Sequence, residues 1–202
     1  VFDTGSTWEN TGIIRDRIGT GEIPGPRLRS TGEIVYPKGA FRDSPPVLLD
    51  ALGFMKIQPP EVAEADEALA VSRKLLDART DGIKLYAATW FPPFVDLPEA
   101  AIRAAATEAH RRQKPVFAHP TKREGLLASV RGRADILVHT TPQSGPWDET
   151  VLTAMKEGQI ALIPTLKLWT YELRHERISA LERFVENGIS QLRMWAASGG
   201  VV

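Results

Sequence analysis

The chain is 202 residues long, with 25 Lys+Arg against 25 Asp+Glu, 43% hydrophobic residues and no cysteine. Zero net charge argues against a surface built to gather nucleic acid or anionic lipid, and the lack of cysteine excludes disulfides, thiol catalysis and cysteine-ligated zinc. No apolar run approaches the roughly 18 residues of a membrane span; this is the composition of a globular chain able to bury a sizeable core, and it names no compartment.

In chain order, Val1-Phe2-Asp3 running into Thr4-Gly5-Ser6 reads as the end of a buried strand. A loop at 19–26 precedes a strand at 28–35, and a second Gly/Pro-rich loop covers 37–46. Residues 59–78 are expected to be helical, with Val62, Ala65, Leu69 and Leu76 on one stripe behind the stiff Pro59-Pro60 entry. A strand at 82–86 is followed by a helix at 97–113, where Leu97, Ala101, Ala105 and Ala109 share a face. Strands at 115–119, 135–139 and 159–165 alternate with helices at 123–130 and 148–157. A last helix over 172–197 is expected to break at Asn187-Gly188, a helix-stop pair. Gly199-Gly200-Val201-Val202 then reads as the opening of another strand. Two strands cut at the ends suggest a piece of a longer protein, so a signal peptide would lie outside this window.

Strand-helix alternation with continuously apolar strands, such as Val116-Phe117-Ala118 and Ile136-Leu137-Val138, predicts α/β architecture with a parallel sheet. Neither G-x-G-x-x-G after a first strand nor G-x-x-x-x-G-K-[ST] is present. About seven strands, two of them cut, fit an incomplete (β/α)8 TIM barrel better than a complete open sheet.

Three strands end in residues able to bind a metal or move a proton: Lys84, His119 and His139. The C-terminal ends of parallel strands converge on the ligand site, and consecutive strands are usually neighbours, so the three should share one basin. Individually, a histidine after an apolar run is often a hydrogen-bonded structural residue, and a strand-end lysine often reaches solvent. Together they point to a site. Two imidazoles can hold one ion, and a lysine buried among apolar neighbours loses its proton readily. The neutral amine can then add carbon dioxide, giving a carbamate with two oxygens able to bridge two metals. His110 and His175 lie in charged helical stretches and read as solvated.

In this order and spacing the segments resemble the amidohydrolase superfamily, in particular its imidazolonepropionase-like and prolidase-like members. Val1-Phe2-Asp3-Thr4-Gly5 resembles the second strand, and Gly25-Pro26-Arg27 with Ser30-Thr31-Gly32 resembles the third. Asp81-Gly82-Ile83-Lys84 is similar to the fourth-strand segment that bears a carboxylated lysine. Val116–His119 with Pro120, and Ile136–Val138 with His139-Thr140, are similar to the fifth and sixth strands with their metal-binding histidines, and Ala161-Leu162-Ile163-Pro164-Thr165 to the seventh. The resemblance implies one partial barrel domain over 1–202, about strands 2 to 7 with the start of strand 8. It also implies one or two divalent metals, usually zinc, carbon dioxide as the carbamate on Lys84, and hydrolysis of amide, cyclic amide or dipeptide bonds by a metal-activated hydroxide. Lys84 would bridge the metals, and His119 and His139 would hold the second. The family's first-strand His-x-His is absent from these residues, its eighth-strand aspartate would follow Val202, and Thr140 stands where glycine is usual.

Tyr86, Trp90, Thr140, Trp169 and Tyr171 follow strand ends and are candidates for shaping the pocket of a small-molecule substrate. A homo-oligomer is left open. Two rival readings stand beside the metal-dependent hydrolase: a barrel lyase with Lys84 as Schiff-base nucleophile, and a truncated domain without catalysis. The fragment alone is expected to be inactive.

Overall fold

Each apolar run becomes a short parallel strand and each amphipathic stretch a helix laid across it, as seen in a computed structural model that describes residues 1–40, 59–89, 94–168 and 180–202. The strands are β1 (Phe2–Asp3), β2 (Arg29–Ser30), β3 (Ile34–Pro37), β4 (Glu61–Val62), β5 (Ile83–Tyr86), β6 (Val116–His119), β7 (Ile136–Val138) and β8 (Ala161–Ile163). The helices are α1 (Trp8–Gly19), α2 (Ala65–Asp77), α3 (Glu99–Arg111), α4 (Arg123–Arg131), α5 (Glu149–Glu157) and α6 (Ala180–Ala197). Every ladder between these strands is parallel, in the order β4-β3-β5-β6-β7-β8, with β1 paired to β2. The Asp81 amide donates to Ser30 O at 2.7 Å, linking β2 to the start of β5, and Val201 bridges Ala161 in parallel beyond β8. The strands therefore form an arc of an incomplete barrel.

Period-2 alternation sorts the side chains. Ile83 and Leu85 of β5, Val116 and Ala118 of β6, Leu137 of β7 and Leu162 of β8 join the apolar core, with Ile102 of α3, Leu126 of α4 and Met155 of α5. Their strand neighbours Lys84, Tyr86, His119, Val138 and Ile163 turn inward and line a cavity. Both faces of β5 and β6 are buried, which explains why the runs read as continuously apolar. The helix N-terminus of α5 is capped by Asp148, whose carboxylate accepts the Val151 amide.

Several expectations need correction. The strand at 28–35 is interrupted at Gly32, which takes φ 66° while its amide donates to Ser30 Oγ. A Cβ there would stand 3.0 Å from Thr80 Cγ2 and 3.1 Å from Trp8 Cβ, so a close approach by two neighbours favours glycine. The helix expected from residue 59 starts at Ala65, because Glu61 and Val62 pair with Tyr36 and Pro37 instead. Helix α1 was not expected: it contains Gly12 and β-branched Thr11, Ile13 and Ile14, and buries no residue fully, so it presents no strong apolar stripe. Helix α6 runs unbroken through Asn187-Gly188. Asn187 Nδ2 donates to Pro142 O, and a Cβ on Gly188 would stand 3.1 Å from Thr140 Oγ1. This pair seats the helix on the loop after β7 rather than ending it. His110 is not simply solvated either; its Nε2 lies 2.9 Å from Asp135 Oδ2, tying α3 to the entry of β7. Among the described residues no helix is long and apolar enough to cross a membrane.

Candidate active site

The inward residues of β1, β3, β5, β6, β7 and β8 surround a cavity of about 760 Å³ at the C-terminal ends of the strands. Lys84, His119 and His139 all line it, as does Tyr86. The neighbouring strands hold them in register, Lys84 opposite Phe117 and Tyr86 opposite His119. The His119 ring stacks on Tyr86 at 4.0 Å between centroids, and Tyr86 stacks on Tyr36 at 4.8 Å. His119 meets His139 edge-on at 4.4 Å. The two imidazoles and the lysine therefore face one volume from three adjacent strands.

Lys84 is 2% exposed, and among the described residues its Nζ has no hydrogen-bond partner. An unpaired buried ammonium is costly, and burial pushes its pKa down to about 7. Burial, reinforced by the charge on Lys84, lowers His139 to about 3. His119 falls well below the usual histidine value through burial first, then His139 and Lys84. Near neutral pH both rings are thus uncharged, the form in which imidazole binds a metal. Burial also raises the Tyr36 phenol to about 12, so it stays protonated.

Of the other candidates, Tyr86 lines the cavity, whereas Thr140 is 1% exposed, is not part of the lining and faces Gly188. Trp90, Trp169, Tyr171 and His175 lie outside the described residues. Sequence reading did not single out three further lining residues, Asp3, Thr121 and Thr165. Asp3 accepts from the Gly5 amide and Ser30 Oγ. Thr121 and Thr165 have φ of 59° and 47°, and His139 has φ 83°. Positive φ is an outlier for the β-branched threonines; the other non-glycine cases among the described residues, Arg79, Gln113, Arg133 and Gln159, each follow a helix and do not line the cavity. The available signal was positional: Asp3 ends β1 as His119 ends β6, and Thr165 and His139 follow β8 and β7, whereas Lys84, expected at a strand end, sits inside β5. Among the described residues no cluster of three or more His, Cys, Asp or Glu is positioned to hold an ion.

No protein-family model matches the chain, and neither does any curated protein. Solved structures do. A Xaa-Pro dipeptidase with methionine bound in its active site superposes with TM-score 0.78 at 17% identity, over 98% of this chain and 51% of that one. An ochratoxinase from A. niger gives TM-score 0.78 at 19% identity, over 99% of this chain and 50% of that one. An amidohydrolase gives TM-score 0.68 at 18% identity, over 98% and 52%. The parallel arc, the inward strand-end residues and these superpositions agree: the chain has the fold of the amidohydrolase-type barrels and spans about half the length of the structures it matches.

Proposed function

We propose that the protein is a metal-dependent hydrolase of carbon–nitrogen bonds, in which Lys84, His119 and His139 hold the metal. The observation that carries this reading is the buried Lys84 Nζ, without a partner among the described residues and facing the same cavity as two histidines. A lysine so placed is poorly suited to remain an ammonium. Its neutral amine adds carbon dioxide with loss of one proton, and the carbamate supplies two oxygens where the bare amine offers one nitrogen. His119 and His139 supply neutral nitrogen ligands from the adjacent strands. Bound there, one or two divalent ions, zinc being the usual choice for such donors, would polarise a scissile carbonyl and lower the pKa of water toward 7.

The chain's own residues orient the substrate and exclude water. Phe2, Ile34, Tyr36, Ile163, Leu168 and Phe184 line the cavity and suit the apolar part of a small amide. Tyr86 holds the His119 ring by stacking and borders the same space. The fold is shared with a Xaa-Pro dipeptidase and an ochratoxinase, which supports bond hydrolysis as the chemistry. Because the chain spans half of those structures, the activity is proposed for the whole protein.

The test is zinc content measured with bicarbonate present, together with mass spectrometry for carbon dioxide on Lys84. Wild type should bind zinc and carry the adduct; Lys84→Arg should do neither, since arginine keeps the charge but forms no carbamate. Zinc binding by Lys84→Arg equal to wild type would remove the bridging role. Borohydride trapping of a substrate adduct on Lys84 without bound metal would establish the Schiff-base reading instead.

A further inference from the structure

We propose that Gln143 reads the N–H of the substrate's amide, so that the cavity takes secondary amides in preference to esters or tertiary amides of the same shape. The inference deepens the hydrolase reading and rests on it for the substrate class. Gln143 is exposed and also lines the cavity, so it stands where the cavity opens to solvent. Its Nε2 donates to Thr121 O at 2.8 Å. A carbonyl oxygen only accepts, so this bond fixes which end of the side-chain amide is nitrogen. Among the described residues Oε1 has no hydrogen-bond partner, which leaves it as an acceptor beside the cavity.

The side chain is held in place before any substrate arrives. Thr121 follows β6, and its own hydroxyl donates to Ala88 O in the loop after β5. Gln143 follows β7, so hydrogen bonds tie the loops after three neighbouring strands into one rim. The turn Pro142–Ser144 that carries it is fastened on both sides. Asn187 Nδ2 of α6 donates to Pro142 O at 2.9 Å, and Ser144 Oγ accepts the Arg123 amide at 2.9 Å from the start of α4. A glutamine free in solvent loses rotamer freedom on binding; here the tether has already removed much of it. The rest of the wall explains why an acceptor matters. Phe2, Ile34, Ile163 and Leu168 offer no hydrogen bond, and an amide N–H buried unpaired against them is penalised. Asp3, another acceptor in the lining, already takes the Gly5 amide and the Ser30 hydroxyl. An ester oxygen or an alkylated nitrogen has no proton to give Oε1, and the preference follows.

The test uses the metal-free protein, so its result does not depend on an ion. NMR titrations with N-methylbenzamide and with methyl benzoate, molecules of one shape that differ in N–H against O, give a Kd for each from shifts of the cavity residues. Gln143→Met keeps the length of the side chain without its amide. The preference for the amide over the ester should be about 5- to 10-fold greater in wild type than in Gln143→Met, the effect of about one hydrogen bond. A residue that only ties the loops together would weaken both probes alike when replaced. An equal amide-to-ester ratio in the two proteins would therefore overturn the proposal, as would failure of both probes to bind wild type. Should Gln143→Met not fold, Gln143→Ala reads the same ratio. Zinc content decides the hydrolase reading separately. A protein that binds no zinc yet shows the Gln143-dependent preference loses that reading and keeps this one; one that binds zinc with equal ratios loses only this one.

Discussion

Replacing Lys84 with methionine in the metal-free protein should make it more stable, and the gain should shrink as pH rises. The side chain is 2% exposed and its Nζ has no hydrogen-bond partner among the described residues. Burial lowers its pKa from 10.5 to about 7. At about 1.4 kcal/mol for each pH unit, that fall amounts to about 5 kcal/mol of destabilisation when the lysine is charged. Below about pH 7 both folded and unfolded states carry the proton. Between about pH 7 and 10.5 the unfolded chain holds it and the native one does not, so wild-type stability rises with pH across that window. Methionine fills similar volume without a charge and has no such dependence. The expected gain is about 5 kcal/mol at pH 6, falling to about 2 kcal/mol at pH 9. Urea unfolding with a chelator at both pH values measures it. At pH 9 zinc with bicarbonate should reverse the ranking, since ligand at 100 times its Kd adds about 3 kcal/mol to the form that binds it, more than the gain of about 2 kcal/mol there. A Lys84→Met protein that is less stable than wild type by the same amount at both pH values would refute the reasoning. It would mean that the ammonium is satisfied in the native state.

Three further outcomes test the frame around the site. Glu108 is enclosed by Arg73, Arg111 and Arg112, and its hydrogen bonds to Arg111, then Arg112, lower its pKa to about 2. Its contribution is complete above about pH 4.5 and is lost as pH falls toward 2, so Glu108→Gln should flatten acid unfolding in that window. Gln191 is fully buried, donates to Thr141 O and Gly145 O and accepts the Thr141 amide; Gln191→Leu should cost about 1–3 kcal/mol in chemical denaturation by stranding those groups. A Cβ on Gly200 would stand 2.0 Å from Trp195 Cε2, so Gly200→Ala should cost about 1–3 kcal/mol and shift Trp195 fluorescence as the ring gives way.

The arc was legible because burial on both faces leaves a simple trace, a short apolar run closed by one polar residue. That trace marked β5, β6, β7 and β8 together with Lys84 and His119 as inward groups. Other features depend on contacts distant in sequence. Val62 belongs to a helical stripe by spacing, yet it pairs with Pro37 of β3 and its carbonyl accepts the Lys38 amide. Asn187-Gly188 carries the composition of a helix end, but the loop after β7 uses the amide side chain and the missing Cβ for close packing. Thr165 is one threonine among several until the His139 ring is placed beside it. Local pattern names residues at strand ends; it does not say which of them touch.

The same contrast orders the cavity wall. Backbone pairing alone positions Lys84 and His119, since β5 and β6 run side by side over four residue pairs. His139 lies just past the last paired residue of β7, and its amide makes the final backbone bond of that ladder, to Ile163 O. Beyond that bond its ring is placed by side-chain and loop contacts. The β8 end holds its amide and ring, while α6 clamps the following loop through Gln191 and Asn187. The site is thus rigid on one side by secondary structure and on the other by a polar network. Removing one hydrogen bond from that network should disturb His139 far more than His119, which β6 and the stacked Tyr86 ring already restrain.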